Sequence, residues 1–148
     1  MKTLTHTTVI HAPASAVWAA LVEPENYQTW ASAFSPDSQF WGEWVEGQTV
    51  DFVDPNMGGT RALVECVEAN KQLCVRHVAI LGVDGTEDTS SDDATKWIGS
   101  TEEYSITEVD RVCHLLVITE TDEAFVEMFT TCWPNALEKL KQLSEAER

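Results

Sequence analysis

A long amphipathic segment near the C-terminus constrains this chain more than any other feature. From Thr121 to about Leu143, apolar residues recur at Val126, Phe129, Trp133, Ala136, Leu137, Leu140 and Leu143. That is the three-and-four spacing of one buried helical stripe. Thr121 and Asp122 can each cap the helix by accepting an orphan N–H of its first turn. Asp122 and Glu123 put negative charge at the positive end of the helix dipole, and Lys139 and Lys141 put positive charge near the other end. The opposite face carries Glu127, Thr131, Asn135, Glu138 and Gln142. Pro134 interrupts the pattern, because its ring removes one N–H and meets the carbonyl of Thr130; a bend is expected there. A bent helix with large aromatics before the bend requires a broad apolar surface to lie on, which the rest of the chain must supply.

The length of 148 residues predicts one domain spanning 1–148, with enough chain for a substantial core. A hydrophobic content of 43% fits a globular class and excludes general disorder. No run of 18 apolar residues occurs, and the opening MKTLTHTTVIHAP alternates polar and apolar residues without the apolar core of a signal peptide. A cytoplasmic location is therefore expected. Cys66, Cys74, Cys113 and Cys132 lie far apart with no CxxC pair, and read most simply as small apolar fillers. The net charge of −16 repels nucleic acid and anionic membrane surfaces. Its ordinary purpose is solubility; the alternative is an acidic face for a basic protein partner. A monomer or weak homodimer is expected.

Taken in order, residues 3–11 alternate as a first strand. Pro13 and Ser15 open a short helix with Val17, Trp18, Ala20 and Leu21 on one face, and Pro24 ends it. Glu25 to Trp30 predicts a second short helix. Strands follow at Gln39 to Val45 and Thr49 to Val53, rich in Phe40, Trp41, Trp44 and Phe52, with a turn at DPNMGG. Thr60 to Ala69 and Gln72 to Leu81 form a hairpin about Asn70-Lys71. Residues 82–96 hold five acids and no large apolar residue, and predict a long mobile loop. Trp97 to Thr107 and Val112 to Glu120 close a last hairpin. Consecutive hairpins imply an antiparallel sheet, and with the helices an α+β class.

That order, with the stretches APASAVWAALVEPENYQTW, GGTRALVECVEANKQL and FTTCWPNALEKLKQL, resembles the START-like (SRPBCC) superfamily. Within it the chain is most similar to the family of activators of the heat-shock protein 90 ATPase. The resemblance covers nearly the whole chain and rests on packing residues. It implies a helix-grip (START/Bet v 1-like) fold: a curved antiparallel sheet around the C-terminal helix, two short helices after the first strand, and a cavity between sheet and helix.

Candidate chemistry begins with six tryptophans. Indoles ordinarily pack cores, and Trp18 and Trp133, on helical stripes, fit that use. Trp30, Trp41, Trp44 and Trp97 fall near element ends and turns, where flat rings can grip an apolar or aromatic molecule. Phe52, Tyr104 and Phe129 offer further ring faces. If Leu73 and Val75 face inward, period-two alternation turns His77 inward and Arg76 outward. A core histidine needs a partner. On the facing hairpin Ile98, Ser100, Glu102, Tyr104 and Ile106 share a face, so Glu102 and Tyr104 can accompany His77 and orient one polar ligand atom. The four histidines are scattered, and HExxH, CxxC, metal-loop, GxSxG and phosphate-loop patterns are absent, so no metal, cofactor or nucleophile–base pair is expected. The acidic stretch DGTEDTSSDD lacks the regular oxygen spacing of a calcium loop. A binding module for a small apolar or aromatic molecule ranks first. A protein-interaction module related to the heat-shock activators ranks second, and a cyclase- or hydrolase-type enzyme third.

Overall fold

The computed structural model describes residues 1–146. Strand β1 (Lys2–Ile10) leads into helices α1 (Ala14–Val22) and α2 (Pro24–Ala31). Then come β2 (Gln39–Trp41), β3 (Thr49–Asp54), β4 (Gly58–Glu68), β5 (Gln72–Leu81), β6 (Glu87–Asp88), α3 (Asp92–Trp97), β7 (Thr101–Val109) and β8 (Val112–Thr121). A 3-10 turn, Glu123–Phe125, opens into α4 (Val126–Ala146). All pairings are antiparallel, in the order β1-β8-β7-β5-β4-β3-β2, with β6 laid against β5. The curved sheet holds the long helix, as the helix-grip expectation requires.

The apolar stripe explains how α4 is held. Phe129, Trp133, Ala136, Leu137 and Leu140 are buried, while Pro134 lies on the exposed side, where water can meet the freed carbonyl. Lys141 Nζ donates to the Val9 carbonyl at 2.8 Å and to Glu145 at 2.7 Å. Glu145 in turn accepts the His11 N–H at 3.0 Å, so the last turns are tied to β1 by polar contacts as well as by burial. The helix begins later than its periodicity predicts. Thr121 is the last residue of β8, buried and paired with Lys2, so it cannot serve as a cap. Asp122 takes that role alone, its carboxylate accepting the Ala124 N–H at 2.9 Å.

Three other expectations are corrected. Cys66 and Cys74 are not separate fillers: they are joined by a disulfide. Their strands form one hairpin whose register makes them direct partners, with Cα atoms 4.9 Å apart, within the span a disulfide needs. Residues 82–96 are not a plain loop. They hold β6 and then α3, whose cap Ser91 accepts the Ala94 N–H at 3.1 Å and whose Ala94 is buried. The small residue at 94 is an anchor that a search for large apolar residues misses. Finally, the strand expected at Gln39 to Val45 stops at Trp41, because Gly42 takes φ +120°. That left-handed backbone, which suits glycine, turns the chain inward and carries Trp44 off the sheet edge.

Among the described residues, no helix is long and apolar enough to cross a membrane. Cys113 is a buried filler as expected, and burial, helped by the nearby Glu108, pushes its thiol up to about 11.

Candidate functional site

Side chains from α1, α2 and the segment after it, β3, β4, β5, α3, β7 and the first turn of α4 line a partly open cavity of about 350 Å3. Its lining includes Trp30, Trp44, Phe52, His77, Trp97, Glu102, Tyr104 and Phe129. These are eight of the nine candidates named from the sequence. The ninth, Trp41, is 61% exposed and lies outside this cavity. Period-two alternation turns Phe40 inward against Tyr27, ring centroids 5.2 Å apart, and so leaves Trp41 facing out.

The rings form a connected wall. Tyr27 meets Trp30 edge-on at 4.9 Å and Phe52 face-on at 5.8 Å. Phe52 continues to Trp44 at 5.8 Å and to the imidazole of His77 at 6.0 Å. His77 lies 4.7 Å from Trp97, which stands edge-on to Phe129 at 6.0 Å. Trp44 is anchored from outside the wall, its indole N–H donating to the Val22 carbonyl at 3.2 Å. Such edge-on and offset pairs are the favoured geometries of quadrupolar rings.

One polar cluster sits within this wall. His77 faces inward on β5 while Arg76 faces outward, 3.3 Å from Glu65. His77 Nε2 lies 3.3 Å from Glu102 Oε2 on β7. Tyr27 and Tyr104 complete the cluster. Burial, reinforced by the Glu102 charge, raises both phenols above their ordinary value, so both stay protonated. Tyr27 was not among the sequence candidates, although its i,i+3 spacing from Trp30 on α2 puts the two on one face.

Structures similar to this one are known, whereas no family model and no curated protein sequence matches. Protein MLL2253 from Mesorhizobium loti is 18% identical, with 99% of each chain covered and a TM-score of 0.79. The Aha1 dimer from Colwellia psychrerythraea is 21% identical over 98% of this chain and 97% of its own, TM-score 0.71. An AHSA1-like protein from Aeromonas hydrophila is 16% identical over 99% of this chain and 94% of its own, TM-score 0.70. The chain has the START-like, Aha1-type fold. At these identities the likeness is one of fold.

Ser35 and Asp54, also on the lining, form a polar latch with no counterpart in the sequence reading. The Ser35 hydroxyl donates to Asp54 Oδ2, which also accepts the Asp37 N–H at 3.3 Å. Asp54 Oδ1 accepts the Asn56 N–H at 2.8 Å. These bonds pin the segment after α2 to the end of β3. They hold the Asp54 carboxyl below its ordinary value of 3.8, the Ser35 bond contributing most. A lowered folded-state pKa stabilises the protein above the ordinary carboxylate range, and that contribution is lost as pH falls through the folded value. Asp54→Asn is accordingly expected to be less stable than the parent at neutral pH, with the gap narrowing as pH falls below about 4. Urea unfolding midpoints measured at several pH values check this; a gap that stays constant with pH rules the latch out as its source. Among the described residues, no group of three or more His, Cys, Asp or Glu side chains is placed to hold a metal ion.

Proposed function

We propose that this protein binds a small apolar or aromatic molecule in the cavity between the sheet and α4. The observation that carries this reading is an aromatic-walled space of about 350 Å3 with a single His77–Glu102 pair on its lining. Ordinary cores leave few voids larger than a water, whereas ligand pockets run from about 300 to 1,000 Å3 and are mostly apolar with a few placed polar groups. The proposed contact residues are Trp30, Trp44, Phe52, His77, Trp97, Glu102, Tyr104 and Phe129. The rings supply contact area, and the His77–Glu102 pair orients one polar atom of the ligand.

Titration with an apolar fluorophore, followed by tryptophan emission and backbone NMR shifts, tests the reading. Saturable shifts concentrated at these residues are expected. Shifts spread over the outer surface, or no saturation with any probe, would leave a protein-interaction role ahead. The likeness to the Colwellia psychrerythraea Aha1 dimer supports that second reading, in which a partner chain or a second copy is the ligand.

A further inference from the structure

Building on that reading, we propose that the cavity selects a protonated amine carried on an apolar or aromatic body. The lining contains no lysine and no arginine. Its one group able to carry positive charge, His77, already has Nε2 engaged by Glu102. The side chains differ in what they present: Glu102 keeps 18% of its surface exposed, and His77 only 4%. Glu102 Oε1 has no hydrogen-bond partner among the described residues, and the remaining nitrogen of His77 is fully buried. At this pair an incoming polar atom meets a carboxylate oxygen, which accepts and never donates; the Tyr27 and Tyr104 hydroxyls beside it are the neutral donors of the lining.

Three features favour a cation as that donor. Tyr27, Trp30, Phe52, Trp97 and Tyr104 line the space with aromatic rings, the side chains whose faces attract a positive charge. The indole N–H groups of Trp30 and Trp97, which could have received an acceptor atom, are buried beneath the cavity surface. The whole molecule carries a net charge of −16, which raises the local concentration of cations and opposes anions. A ligand carboxylate would instead meet Glu102, with Asp54 also on the lining, and no lysine or arginine there to balance it.

The test compares naphthalenemethylamine, naphthalenemethanol and naphthoate, three probes of one shape, by calorimetry and NMR at neutral pH. The amine is expected to bind about tenfold more tightly than the alcohol, the scale of one cation–π contact in a desolvated site. Naphthoate is expected not to saturate. Glu102→Gln should remove the amine's advantage over the alcohol, and a parent-like backbone NMR spectrum shows that the variant is folded. If that variant fails to fold, the order of the three probes on the parent protein decides. Equal or tighter binding of the alcohol or the acid overturns the amine preference and leaves the cavity reading standing. Failure of all three probes and of an uncharged fluorophore overturns both.

Discussion

Replacing Trp133 by alanine is expected to cost about 3–5 kcal/mol of folding stability, the usual range for deleting a core aromatic. Trp133 is 1% exposed, among the largest fully buried side chains. It sits where α4 meets everything else. Its ring stacks on Trp30 at 6.0 Å, meets Phe34 edge-on at 5.0 Å, and lies 6.0 Å from Tyr104 and 6.2 Å from His6. These partners come from α2, the segment after it, β7 and β1, so no single element can move in to fill the hole. The loss is a large share of the stability of about 5–15 kcal/mol typical of a folded protein. Urea unfolding measures it, provided the slope is unchanged from the parent. A midpoint near the parent value would mean that the helix is not gripped at this point. Trp133→Phe keeps most of the apolar area and should lose clearly less.

The second large effect is expected at Gly59. Its pairing partner across the β3–β4 hairpin is Val53. A methyl group there would lie 1.9 Å from the Phe52 carbonyl oxygen and 2.8 Å from the Val53 Cα. Both are backbone atoms that no rotamer change can move, so the strands must separate. Gly59→Ala is expected to cost about 3 kcal/mol, the upper part of the usual overpacking range. Because Phe52 and Gly59 both line the cavity, the same variant should also weaken binding of an apolar fluorophore. Calorimetric melting and the fluorophore titration read the two effects separately. Parent-like melting would show that β3 and β4 do not approach so closely here.

The candidate site was legible in part, for a reason that differs from residue to residue. His77, Glu102 and Tyr104 could be named together because alternation along a strand puts every second side chain on one face. Trp30 and Trp97 were found from their positions at element ends. Trp41 was grouped with Trp44 because both lie in one aromatic run, and only the break at Gly42 separates them. Asp54 escaped notice because its partner Ser35 is 19 residues away in an irregular segment, where no period carries information.

By itself the sequence determined the stripe on α4, the inward face of His77 with Arg76 outward, and the run of antiparallel hairpins. Each follows from the local backbone repeat, with 3.6 residues per turn in a helix and two in a strand. Only the tertiary structure decided which residues meet across elements. It paired Cys66 with Cys74, set His77 beside Glu102, closed Ser35 on Asp54, and ended β8 at Thr121 where the helical pattern had seemed to begin. Those outcomes depend on register, which is set by the summed packing and hydrogen bonding of whole strands. A shift of one residue would leave each strand's pattern unchanged and still send its side chains to the other face.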